Sequence, residues 1–205
     1  MLFDNTFLEG SIMNLSNHYH VRDIIFITLI GIAFGAIFIS TNFIYNFLTV
    51  VLTPVGLAPM ANDINMGIWV MAGPLTGFIL RKPGAGFLGE FLAAVGEMFF
   101  GGQWGASTLI SGAIQGIASE LGFTLTGYKI YNWFSLSLSC LTTTIVTFAW
   151  DMFKNGYAEF HFGMLILLFV VRFISIFFFG GILTKMITAL LDRSHMLAKF
   201  GGSNV

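Results

Sequence analysis

The chain has 205 residues, only 9% of them charged, with 9 Lys and Arg against 10 Asp and Glu and a mean hydropathy of +0.85. The near-neutral balance excludes a nucleic-acid face, which needs an excess of basic groups. The hydropathy excludes a soluble domain, and the long apolar runs without alternation exclude a β-barrel, which leaves an all-α, multi-pass membrane protein.

Residues 1–21 read as an N-terminal tail, expected on the membrane surface. It carries Asp4 and Glu9, with no basic flank or cleavage signal, so it is not a signal peptide. Residues 22–191 hold the transmembrane domain, and 192–205 form a C-terminal tail. Within the domain, the apolar pattern predicts six spans at about 22–45, 64–80, 84–101, 107–126, 132–152 and 163–186. Span one carries no charge from Ile24 onward, and small residues recur at Gly31, Gly35, Ala36 and Ser40. Gly31 and Gly35 share a face that lets another helix approach closely. That face either packs within the chain or docks a separate membrane subunit. The connection over 46–63 is long and apolar, and is expected either to fold over the outer side as a lid or to pack at the interface. Gly73-Pro74 interrupts span two and predicts a kink there.

With the N-terminus inside, Arg22, Arg81, Lys82, Lys129, Lys185, Arg193 and Lys199 fall on one side and only Lys154 on the other. The excess of basic residues in cytoplasmic loops then places both termini in the cytoplasm.

Ionisable groups inside the apolar stretches carry the functional signal, because each costs at least a few kcal/mol unless it pairs or faces a polar cavity. They are Glu90, Glu97, Glu120 and Arg172. Glu90 and Glu97 lie two turns apart on one helix face with Ala94 between them. By helical rise, Arg172 reaches the level of Glu97, so an internal ion pair with Glu97, or alternatively Glu90, is expected. Gln115 reaches the middle of span four. Glu120 follows Gly112 and Gly116 at four-residue spacing, as a helix-seam residue would. Trp69, Gln103, Trp104, Trp150 and Asp151 gather toward the outer side. Each indole has a plain alternative as a headgroup anchor. Taken together, carboxylate, amide and indoles suit a flat cationic or amino-heteroaromatic ligand, with cation–π attraction of about 0.5–2 kcal/mol. Cys140 is alone, so no intrachain disulfide forms, and no metal cluster is visible. There is no phosphate-binding Gly-Lys-Ser/Thr loop, so any ATP is hydrolysed by another subunit.

The run Arg81-Lys82-Pro83-Gly84-Ala85-Gly86, then Gly89-Glu90, Gln103-Trp104-Gly105, Ser111-Gly112, Gln115-Gly116 and Glu120, resembles the YkoE-type substrate-binding (S) components of energy-coupling factor (ECF) transporters. The resemblance implies a six-helix S component in the bacterial plasma membrane, binding thiamin or its hydroxymethylpyrimidine precursor from outside. It further implies a transmembrane coupling subunit, which S components dock through the small-residue face of span one, and two ATPases. Glu90, Trp104, Gln115 and Glu120 match the family pattern, whereas depth favours Glu97 over Glu120 for ligand contact. Glu97 would pair with the aminopyrimidine, Trp69, Trp104 or Trp150 would stack on a ring, and Arg172 would hold a neighbouring acid ionised. Two rivals fit less well. An intramembrane enzyme lacks a base beside Ser107, Ser111 or Ser119, since no span holds a histidine. A stand-alone secondary transporter would be expected to show inverted repeats.

Overall fold

The computed structural model describes residues 19–193. The expectations for the tail before residue 19, and for the tail beyond residue 193, lie outside the described residues.

Among these the structure is helical throughout. Helix α1, Val21–Leu52, opens with the His20 backbone N–H donating to the Asp23 carboxylate at 2.8 Å. It runs seven residues past the expected end because nothing in 46–52 breaks a helix. Pro54 does, and the chain turns through a 3₁₀ segment, Thr53–Val55, and Gly56 at φ +73°. The expected lid over 46–63 is therefore mostly helix, with a short turn before α2.

Helices α2, Met60–Trp69, and α3, Ala72–Leu80, form one broken rod. The break falls at Val70-Met71, just upstream of Gly73-Pro74, because proline offers no N–H to the turn before it. The loosened Gly73 N–H donates instead to Glu90 Oε2 at 2.8 Å. Helix α4, Ala85–Phe99, follows the Pro83-Gly84 turn and has no capping side chain of its own. Glu120 supplies the cap from α5, Ser107–Leu125, accepting the N–H groups of Gly84, Gly86 and Phe87 at 2.6, 2.8 and 3.1 Å. Helix α6, Trp133–Lys154, is capped by Asn132, whose Oδ1 accepts from Phe134 N–H at 2.9 Å. Helix α7, Phe162–Ile176, continues through a π-helical stretch, Phe177–Leu183, into α8, Thr184–Arg193.

Among the described residues, four segments are long and apolar enough to cross a membrane: Val21–Val55, Met60–Leu80, Trp133–Lys154 and Phe162–Arg193. The chain is a multi-pass membrane protein. The α2–α3 rod is its central post, with 89% of its apolar window buried, against 33% for α1. Helix α4 packs between α1 and α5, α5 against α6, and α2 against α7.

Small residues set these contacts. A Cβ on Gly31 would meet Leu92 at 2.9 Å, and one on Gly35 would meet the Gly96 backbone at 2.8 Å. This corrects the docking-face reading for Gly31 and Gly35, which seal α1 onto α4 within the chain. Ala36 and Ser40, about 100–180° further round the helix, remain exposed. Hydroxyl–carbonyl bonds join the other seams: Ser139 Oγ donates to the Ser119 carbonyl at 2.7 Å, and Ser175 Oγ to the Ile64 carbonyl at 2.6 Å.

One end of the bundle holds the start of α1 and the α3–α4 and α5–α6 turns, tied by the Lys82–Asp23 ion pair at 2.5 Å. The α1–α2, α4–α5 and α6–α7 connections lie at the other end.

A candidate ligand cavity

At that second end, α1, α2, α4, α5 and α6 enclose a cavity of about 390 Å³, a volume that suits a small organic molecule. Its floor is held open by small or flexible side chains, Ala94 and Met66.

Tyr45, Trp69 and Trp104 make an aromatic corner. Their ring centroids lie 5.2–5.5 Å apart in tilted and edge-on arrangements, and Trp69 Nε1 donates to Thr41 Oγ1 at 2.7 Å. Edge-to-face contacts of this kind fix ring orientation as well as burying area, so the corner is set before any ligand arrives.

Beside it, Glu97 projects from the last turns of α4 and is 4% exposed. Its Oε1 accepts from Asn42 Nδ2 at 3.2 Å, and it makes no ion pair within 4 Å among the described residues. Asn42 Oδ1, buried behind the wall, has no hydrogen-bond partner. On this side the cavity therefore offers the Glu97 carboxylate as its acceptor.

On the α5–α6 side, Thr108 Oγ1 and Trp150 Nε1 are buried beneath the cavity wall without hydrogen-bond partners. Lys154 Nζ donates to Ser111 Oγ at 2.7 Å at the exposed edge. Gln115 adds an amide whose Nε2 makes a weak hydrogen bond to Met66 Sδ at 3.8 Å.

Behind this wall sits the strongest electrostatic feature of the molecule. Arg172 is fully buried; its Nε donates to Asp63 Oδ1 at 2.6 Å and an Nη to Asp151 Oδ2 at 2.5 Å. Asn62 Nδ2 reaches Asp151 Oδ2 at 2.9 Å, Asn155 Nδ2 reaches Asp151 Oδ1 at 2.8 Å, and Tyr157 donates to Asp63 Oδ2 at 3.0 Å. Burial, with the Asp63 charge adding to it, pushes the Tyr157 hydroxyl well above its ordinary value, so it stays a donor. The guanidinium also lies 5.1 Å from the Phe148 ring centroid. This corrects the expected partner of Arg172: neither Glu97 nor Glu90 touches it. Matching depths along two helices do not make two side chains face each other, and α2 supplies Asp63 from the facing side.

The structure thus brings Glu97, Gln115, Trp69, Trp104, Trp150 and Asp151 to one cavity. It leaves out two others. Glu90 is fully buried beside the α2–α3 break, and Gln103 accepts from Asn46 on the exposed surface at 3.0 Å. Glu120 caps α4, away from the cavity. Sequence reasoning did not assign Asp63, Asn42, Thr108 or Lys154 to the site. Asp63 carried a usable signal, an acid immediately before the expected start of span two.

A cavity at one end of a small helical bundle built around a broken rod is the architecture of a membrane subunit that holds a small ligand. A solved structure described as an S-component of an ECF transporter matches with a TM-score of 0.81 and 28% identity, covering 88% of this chain and 89% of that one. The family described as the permease component of ABC-type cobalt transport systems matches residues 22–146, and the chain belongs to that family. The Bacillus subtilis (strain 168) protein named as an HMP/thiamine permease, YkoE, is 28% identical over 179 residues, 87% of each chain. The expected YkoE-type S-component kinship therefore holds.

Proposed function

We propose that this protein is the membrane-embedded vitamin-capture subunit of an ATP-driven importer, taking thiamin or its hydroxymethylpyrimidine precursor from outside the cell. The observation that carries this reading is the meeting of Glu97 with the Tyr45–Trp69–Trp104 corner in one cavity. A carboxylate accepts from an exocyclic amine and a protonated ring nitrogen together, and the indole and phenol faces attract a thiazolium cation. The name of the Bacillus subtilis relative points to the same cargo. The family's description mentions cobalt, but among the described residues no group of three His, Cys, Asp or Glu could hold a metal ion, which favours an organic ligand.

Under this reading there are six spans. Helix α4 has 15 residues and rises only about 22 Å, less than a bilayer core, so it relies on α1 and α5 to shield it from lipid. The basic end faces the cytoplasm and the cavity opens outward. A separate coupling subunit, engaging the exposed Ala36 and Ser40 face of α1, and two ATPases complete the importer.

Isothermal titration of thiamin into the purified protein tests the reading. Thiamin binds, and Glu97→Gln weakens it by about 10- to 100-fold, the equivalent of a charge-assisted hydrogen bond of about 1.5–3 kcal/mol. Absence of binding to wild type rejects the vitamin. Unchanged affinity in the variant removes Glu97 from the site. Uptake that persists in cells lacking the ATPases favours a secondary transporter instead.

A further inference from the structure

One stripe of α1 ties down both the aromatic corner and the acid of the cavity. Thr41 Oγ1 accepts from Trp69 Nε1 at 2.7 Å, and Asn42 Nδ2 donates to Glu97 Oε1 at 3.2 Å. One turn further on, the Tyr45 ring centroid lies 5.5 Å from that of Trp69 and 5.4 Å from that of Trp104. Asn46 Nδ2 then donates at 3.0 Å to Gln103 Oε1, on the residue preceding Trp104. At 100° per residue these four positions span about 140° of the helix circumference, on the side that Gly31 and Gly35 seal against α4. Tyr45 lines the cavity, whereas Thr41 and Asn42 are buried behind the groups they hold.

The chemistry of Asn42 matters as much as its place. A carboxylate buried in a membrane bundle is ordinarily paired with a cation, as Asp63 and Asp151 are with Arg172. Glu97 is held instead by a neutral amide, from a helix with no charged residue after Asp23. An amide fixes the direction of the carboxylate and leaves its charge for the ligand to meet. The Thr41 hydroxyl does the equivalent for an indole, giving the Trp69 N–H its acceptor and so turning the ring face toward the cavity. Groups locked in this way from behind are what hold a binding site in its productive geometry.

We propose that Thr41 and Asn42 are the positioning residues of the site, touching no ligand themselves but fixing the Trp69 indole and the Glu97 carboxylate on which recognition depends. This rests on the vitamin-capture reading and adds the residues that make its contacts specific. Ser40, exposed on the opposite face of α1, takes no part.

Titration of thiamin into purified single and double variants tests this. Asn42→Leu weakens binding about tenfold, the loss of one hydrogen bond to a charged group. The Asn42→Leu, Glu97→Gln double variant binds no more weakly than Glu97→Gln alone, because Asn42 then has nothing left to position. Thr41→Val weakens binding about threefold and adds nothing to Trp69→Phe. Ser40→Ala binds as wild type does. Detergent melting temperatures close to that of wild type show that the variants are folded; where Asn42→Leu is not, Asn42→Ala is read in its place. Full thiamin affinity in the Asn42 and Thr41 variants, or losses that simply add within each pair, overturns the positioning role and leaves vitamin capture standing. Absence of binding to wild type rejects the capture reading, and this inference with it.

Discussion

Arg172 shows how a single buried charge can organise one side of a membrane protein. Its guanidinium is shared by two carboxylates from different helices, with an asparagine and a tyrosine completing their bonds. Replacing it with methionine leaves Asp63 and Asp151 facing each other in a low-dielectric interior without their cation. Arg172→Met is expected to destabilise the protein by about 3–5 kcal/mol, read as a large drop in the detergent melting temperature. Asp63→Asn, which keeps the shape and removes one of the two negative charges, costs less. The residue scale is also where the sequence misleads. Helical rise gives the level of a side chain but not the direction it faces, so depth alone pairs Arg172 with Glu97 where the structure pairs it with Asp63 and Asp151. Trp69, Trp104, Gln115 and Glu97, singled out by residue type, do line one cavity.

At the scale of elements, breaks and caps decide the geometry. Gly84 starts α4 at φ +85° with no capping side chain, so the first turn of the helix depends on a carboxylate from its neighbour. Glu120 satisfies three N–H groups and lies at the positive end of the α4 dipole. Glu120→Ala is expected to lower stability by about 1–3 kcal/mol, with Glu120→Gln recovering part of it. Hydrogen exchange localised to residues 84–88 would show that the loss is at this cap; exchange unchanged there would move the role of Glu120 elsewhere. The glycine stripe ahead of Glu120 made a seam legible in the sequence. The cap was not, because it depends on where the 81–86 turn comes to rest in space. Likewise, the α2–α3 break was visible in Gly73-Pro74, but the use of Glu90 to satisfy the freed Gly73 N–H was not.

At the scale of the whole molecule, the cavity and the basic turns occupy opposite ends, so orientation and function stand together. Cys140, the single cysteine, is fully buried and leaves a quiet background for thiol labelling. In intact cells, Lys154→Cys is expected to react with a membrane-impermeant maleimide, whereas Lys129→Cys reacts only after lysis; the reverse pattern would invert the topology and close the cavity to external ligand. The helical class was readable from hydropathy alone, and four apolar segments long enough to cross a membrane stand among the described residues. The cavity was readable only as a gathering of polar types, because its walls come from five helices whose rotations are fixed by packing.

The central rod has a consequence for how such a chain is made. Met60–Leu80 has a mean hydropathy of only 1.2, against 2.5 and 2.6 for Val21–Val55 and Phe162–Arg193, and nearly all its surface is covered by its neighbours. Its Asp63, Asn65 and Pro74 are at home among protein but poorly suited to lipid. The segment that carries the core is thus, with Trp133–Lys154 at 1.3, among those least able to leave the translocon alone. It depends on earlier and later helices to escort it into the bilayer, so biogenesis of this protein is a cooperative event and not a sequence of independent insertions.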